Sequence, residues 1–268
     1  MARQESMLKY RGSLDGVRHY KIKGSTGSFA AFIPPISADR IKNGAEFART
    51  RENMNEFGAC GVITSSFRAG VAPLLSRMAD NRLTSRMTGI MKRINLLDES
   101  EARGYRAILV SVKGNLLVKF PFNTSQLLRE VSVAPMSFTH AATRQSAMLT
   151  VTPFDFAGVV KPSSGATHYR FVNVLSLLSD FAYDATTQRY EAVEGQLNEK
   201  SIIAYSAYQE VSVNVVEEIV VIASLQGVTI PVDAAIACIQ SVGIEFLQKV
   251  GVNYVPMKGS TMMIADVF

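Results

Sequence analysis

The hydrophobic period of this chain changes once, near Arg106, and that change limits the folds open to it. Before it, Leu83, Met87, Ile90 and Ile94 recur at i, i+4, i+7 and i+11, the spacing of one helix face. After it the period is two, with Ala147, Leu149 and Val151 in one run and Val211, Val213 and Val215 in another. Helices collected in one block and strands in another predict an α+β chain.

The N-terminal stretch reads as a ribbon. Met7 to Leu14, Val17 to Lys23 and Ser28 to Ile33 have strand character, and Asp15-Gly16 is the two-residue signal of a type I′ hairpin. Pro34-Pro35 ends the run. Two or three strands of this size are marginal alone and must pack on something.

Ala45 to Ala69 reads as the first long helix, with Phe47, Met54 and Phe57 as an apolar stripe. Gly58, Ala59, Cys60 and Gly61 make a small-residue run. Each glycine costs a helix interior about 1 kcal/mol against alanine, so the run implies close approach of another backbone, within the subunit or between subunits. Gly70 is a plausible stop, Pro73 suits a first helical turn, and Asp80 or Asn81 could cap a helix from Arg82 to Leu97. Gly58, Ala59, Gly61, Leu83, Met87, Ile90 and Ile94 are therefore the expected helix-packing or interface residues. Arg49 and Arg51 lie at the start of the first helix. Arg82, Arg86 and Arg93 each precede a stripe position in the last. These five are the candidate contacts to an anionic partner. Arginine stems covering the edge of the stripe are the competing explanation for the last three.

Beyond Arg106, strand-like runs recur at short intervals: Leu116 to Phe122, Ser146 to Thr152, His168 to Phe181, Tyr190 to Val193, Ile219 to Ala223, Ala235 to Phe246 and Thr261 to Phe268. Asn123-Thr124-Ser125, Pro162 to Gly165, Asp184 to Gln188 and Gln226-Gly227 supply turns, and Gly243 reads as a bulge. The expected architecture is an N-terminal β-hairpin ribbon (1–34), a basic α-helical segment packing with it (35–106) and a C-terminal antiparallel β-sandwich (107–268).

Charge follows the same division. Residues 1–106 hold 18 Lys and Arg against 10 Asp and Glu (net +8), and residues 107–268 hold 10 against 13 (net −3), which sum to the +5 of the chain. The basic half could meet nucleic acid or the acidic half of another copy. Catalytic patterns are lacking. The three histidines, His19, His140 and His168, have no second ligand at zinc spacing. Gly24-Ser25-Thr26-Gly27 lacks the lysine of a phosphate loop, there is no G-x-S-x-G, and Glu217-Glu218 would point to opposite faces of a strand. No cofactor and no metal is implied, and an enzyme is not expected. No apolar run approaches the ~20 residues of a membrane helix. Cys60 and Cys238 are too far apart in sequence to make a disulfide framework. With no apolar stretch behind the charged start, no classical signal peptide is expected. Synthesis is expected in the cytoplasm, with later release in an extracellular or phage-like assembly compatible with that.

Arg49-Thr50-Arg51-Glu52-Asn53, followed by Glu56-Phe57-Gly58, the segment from Arg82 to Lys92, and Gly243-Ile244-Glu245-Phe246 resemble an uncharacterised protein family common in Bacteroidota. The likeness is strongest over residues 40–106 and the last 30. That family carries no assigned activity, so the resemblance implies no site residue. Asn55 and Ala59 to Val62 are less basic and glycine-rich than its pattern, which weakens the nucleic-acid reading. The leading expectation is a structural self-assembling subunit of a filament, tube, shell or phage-like particle. In it, copies of the chain contact one another and exposed terminal strands add to a neighbour's sheet. A nucleic-acid-associated protein and a β-sandwich adhesin are the alternatives.

Overall fold

The computed structural model describes residues 2–4, 9–22, 24–32 and 36–268. Met7, Leu8, Lys23 and Ile33 to Pro35, where the sequence places strand ends and a break, lie outside them. The chain forms two compact units, Met1–Glu52 and Asn53–Phe268. The fold is α+β, with an N-terminal antiparallel sheet, a helical segment and a C-terminal antiparallel sheet.

In the first unit, β1 (Ala2–Arg3), β2 (Gly12–Leu14), β3 (Val17–Lys21) and β4 (Ser28–Phe32) form one sheet in the order β1-β4-β3-β2. Leu14 pairs with Val17 across Asp15 and Gly16, whose φ values of 51° and 78° are those a type I′ turn needs. Helix α1 (Ala38–Asn43) starts where the Ser37 hydroxyl accepts the Arg40 N–H at 3.1 Å. Little apolar surface is covered here: Tyr10, Leu14 and Phe32 are all exposed, Phe32 by 71%.

The second unit contains most of α2 (Ala48–Gly70), then α3 (Ala72–Met78) and α4 (Leu83–Asn95). Short helices α5 (Val110–Lys113) and α6 (Leu128–Val131) follow, then strands β5 (Met136–His140), β6 (Ser146–Val151) and β7 (Phe154–Asp155). Next come β8 (His168–Ser179), β9 (Phe181–Asp184), β10 (Arg189–Ala192), β11 (Ser201–Tyr205), β12 (Gln209–Glu210) and β13 (Val215–Val216). The last four are β14 (Ile219–Ser224), β15 (Ile236–Val250), β16 (Asn253–Pro256) and β17 (Thr261–Val267).

A six-stranded antiparallel sheet is the centre. β8 and β15 pair along their length, with β11 and β12 beside β8 and with β16 and β17 beside β15. Both faces of this pair are buried, which is why these strands read as near-continuous apolar runs. Val172, Val174, Leu178, Ala237 and Ile239 share a core with Ile63, Phe67, Leu74, Met78, Met87, Met91 and Ile94 of the helices. The alternate residues Tyr169, Phe171, Val242, Ile244 and Phe246 pack against Leu149, Val151, Ile219 and Val221 of a three-stranded sheet, β14-β6-β5. The order of layers is therefore helices, central sheet, small sheet. The expected boundary at 106/107 gives way to one at 52/53, because the helices supply one wall of the central sheet's core.

The C-terminal strand is bonded on both edges. β17 pairs with β15 on one side. On the other, Lys119 and Phe122 donate to Ile264 and Met262 carbonyls at 2.8 and 3.0 Å, and Ile264 donates to Phe120 at 3.0 Å. Phe268 exchanges main-chain bonds with Cys238 at 2.9 and 3.0 Å, and its ring stacks on His140 at 3.8 Å. Between Met262 and Ile264, β17 therefore has no free edge to offer a neighbour. Leu116 to Phe122, expected as a strand, is the end of a 3-10 turn and then this edge segment.

Candidate assembly interface

Helix α2 has two unlike faces. Ala59, Cys60, Ile63 and Phe67 are buried in the core. On the other side Met54 (59% exposed), Phe57 (56%) and Val62 (48%) form an apolar stripe with Gly58, Gly61 and Ser65 exposed between them. A Cβ built on Gly58 or Gly61 meets nothing within 4 Å. The close backbone approach expected at these glycines is therefore not made among the described residues. Ala59 falls on the core side, apart from both. Leu83, Met87 and Ile94 are buried and Ile90 is packed against the same core, so the α4 stripe is interior. Met91 completes it.

The five arginines do not act as one group. Arg49 pairs with Glu52 at 2.9 Å on the surface, and Arg51 donates to the Ile41 and Gly44 carbonyls at 2.9 and 2.7 Å, holding the end of α1. Arg82 and Arg93 are exposed. Arg86 is turned inward: it donates to Asp80 at 2.9 and 3.0 Å and to the Pro121 and Phe122 carbonyls at 2.7 and 3.1 Å, with its guanidinium 5.0 Å from the Phe120 ring. It is a clamp between α4 and the segment beside β17.

Asp80 receives more than Arg86. Thr124 N–H and hydroxyl donate at 2.9 Å each and Arg82 N–H at 2.9 Å. Burial disfavours its charge, but these donors and the Arg86 guanidinium outweigh that and hold the carboxyl down to about 2. An acid whose folded value lies below its unfolded one stabilises the fold above the unfolded value and loses that contribution as pH falls. Between pH 4 and 2, Asp80 should cost the fold about 2 kcal/mol. Urea unfolding at pH 5 and at 2.5 is the measurement. The parent should lose about that much more than Asp80→Asn, and equal losses would remove Asp80 as the cause.

Two further charged centres are interior. Glu56 accepts from Lys92 and from Gly104 N–H at 2.7 Å, with Arg106 at 3.7 Å. Burial raises its pKa, and the Lys92 and Gly104 bonds bring it below the ordinary carboxylate range. With Asn95 and Tyr190 bonded to the carbonyls of Gly104, Arg106 or Ala107, this set fastens the 98–107 loop to α2 and α4. Glu245, wholly buried, is held by Arg77 and by Arg170 at 2.6 and 2.7 Å. These groups are occupied by one another, an arrangement that supports structure.

Burial pushes the Cys60 thiol up to about 11 and raises that of Cys238, which makes both poor nucleophiles. Among the described residues no group of three or more His, Cys, Asp and Glu could hold a metal ion, and no single helix is long and apolar enough to cross a membrane. A half-open cleft of about 580 Å³ includes Glu101, Tyr105, Tyr183 and Gln188. Another, of about 440 Å³ and largely apolar, includes Lys119, Leu127, Arg129 and Met263. A scan against protein-family models and searches of curated proteins and solved structures find no match to the chain.

Proposed function

We propose that this chain is a structural subunit that assembles with copies of itself, with the exposed face of α2 as one contact. The observation that carries the reading is the α2 stripe: Met54, Phe57 and Val62 in solvent around two helix-interior glycines, at which a built Cβ meets nothing within 4 Å among the described residues. Glycine at both positions costs the isolated helix about 2 kcal/mol in total. A second helix crossing at Gly58 and Gly61 offsets that cost, because the bare backbone lets two helices come close. The exposed apolar side chains of the first unit, Leu14 and Phe32, support the same reading.

Magnitude says the α2 contact is weak alone. Three half-exposed apolar side chains gain roughly 1 kcal/mol each on burial, or about 6 kcal/mol for a two-fold pair. Association costs about 4–15 kcal/mol. A stable assembly therefore needs a further contact.

Gly61→Ala separates the fold from the assembly. Its Cβ enters open space in the isolated chain, so the variant should be more stable to heat or urea by about 1 kcal/mol. The same Cβ obstructs helix crossing, so association measured by light scattering over a concentration series should weaken, and Gly61→Leu should weaken it further. A parent that stays monomeric at every concentration would end the proposal. So would glycine variants that associate as the parent does.

A further inference from the structure

We propose that the free edge of β14 is a second self-association site, where β14 of one copy pairs antiparallel with β14 of another. This rests on the self-assembly reading and supplies the further contact it requires.

Register shows which groups are free. Leu225 N–H donates to the Gln145 carbonyl at 2.9 Å just past the strand. Hydrogen-bonded pairs alternate in an antiparallel ladder, so Ile219, Val221 and Ala223 direct their main-chain groups at β6. Val220 and Ile222 direct theirs away from it, on the side where β14 has no paired strand among the described residues. Asn173, buried on β8, donates to the Val221 and Ala147 carbonyls at 2.8 and 2.9 Å and fixes both strands from inside. The edge is thus pre-ordered. Val220 and Ile222 are 47% and 57% exposed on the outer face. Between Ile219 and Ser224 there is no lysine, proline or other device that keeps strands apart.

An open edge accepts an extended strand whose own main-chain groups are unpaired. β14 is such a strand, and two-fold antiparallel pairing satisfies both copies at once. With Val220 opposite Ile222 of the second copy, both valine–isoleucine pairs form and Glu218 falls opposite Ser224. Glu217 and Glu218, exposed at the start of β14, then lie at opposite ends of the joint, whereas parallel pairing would set like charges side by side. Charge therefore favours antiparallel over parallel pairing of two copies. β14 and α2 lie on opposite sides of the central sheet. Two different two-fold contacts on one subunit link copies into a filament or a closed dihedral ring, where either alone would stop at a dimer.

The test uses the full chain with single cysteines at the joint; the native Cys60 and Cys238 are buried and do not compete. Val220→Cys and Ile222→Cys proteins are oxidised separately and as an equal mixture. Disulfide dimers in the mixture and in neither sample alone are the expected result. No cross-link in any sample, or cross-linking of Ile222→Cys by itself, overturns this pairing. In parallel, Ile222→Lys should weaken one association step by about tenfold, the loss of roughly two cross-strand pairs, with unchanged circular dichroism. If Ile222→Lys associates as the parent does while Gly61→Leu does not, the β14 site is wrong and the self-assembly reading stands. A parent that never associates removes both.

Discussion

Glu245→Gln is expected to lower the unfolding free energy by roughly 3–5 kcal/mol, the range for removing one partner of a buried ion pair. Glu245 lies on the helix-facing side of β15 with no exposed side-chain surface. Arg77 of α3 and Arg170 of β8 both donate to it, and Arg170 is further held 3.7 Å from the Tyr205 ring and 5.1 Å from that of Tyr208. Glutamine preserves shape but leaves two guanidinium groups in a low-dielectric site without their anion. Their remedies differ: the Arg77 side chain is 26% exposed and can turn to water, and that of Arg170, at 15%, is trapped under the tyrosines. Arg170→Ala should therefore cost more than Arg77→Ala. Urea unfolding of the three variants is the measurement. A loss below about 1 kcal/mol for Glu245→Gln would show that the cluster behaves as a solvated surface pair.

The features legible in the sequence are those whose cause is local. Asp15-Gly16 announces a turn because both positions must take positive φ, and they do. The α4 stripe announces a buried face because its spacing is set by the helix. β8 and β15 announce themselves by apolar length. Pairing order was not legible, because β15 finds β8 across more than fifty intervening residues and nothing near either strand encodes that choice. Length also hid short edge strands: β11 and β16 sit beside longer partners and borrow their order from them. Val211, Val213 and Val215 alternate as a strand should, yet β12 ends at Glu210, opposite His168 where β8 begins, and β13 is as short as its two-residue partner β7.

For the candidate site, residue type was legible and direction was not. Gly58 and Gly61 are visible as helix glycines that need an explanation; that both lie on the exposed side of α2, with no described residue within 4 Å of a built Cβ, is not. Arg86 reads in sequence like Arg82 and Arg93, one position before the stripe. A single acceptor set, Asp80 with the Pro121 and Phe122 carbonyls, draws it inward while the other two stay in solvent. The β14 edge was not legible: Glu217-Glu218 reads in sequence only as two adjacent charges on opposite faces of a strand.

Gly243→Ala is the second large loss to expect, about 2–3 kcal/mol, at the upper end for overpacking. The sequence suggested a bulge at Gly243. The irregularity instead lies between Gln240 and Ser241, where β17 carries the extra Ala265, and Gly243 has another task. A Cβ there would stand 2.5 Å from the Thr261 carbonyl oxygen and 2.6 Å from the Met262 Cβ. Carbonyl oxygen cannot swing aside like the end of a side chain, so β17 must move. That strand is bonded along its far edge to Lys119, Phe120 and Phe122, and the Phe122 carbonyl in turn accepts Asp80 N–H at 3.0 Å and the Arg86 guanidinium. Displacing β17 thus loosens the start of α4 as well as the sheet. Hydrogen exchange should show the loss at β17 and at 119–122 first, with the β8–β15 ladder protected longest. Gly89→Ala is the control, since its Cβ meets nothing within 4 Å on α4 and should stabilise by about 1 kcal/mol. If Gly243→Ala unfolds within about 0.5 kcal/mol of the parent, the close approach of β17 is not what requires glycine at this position.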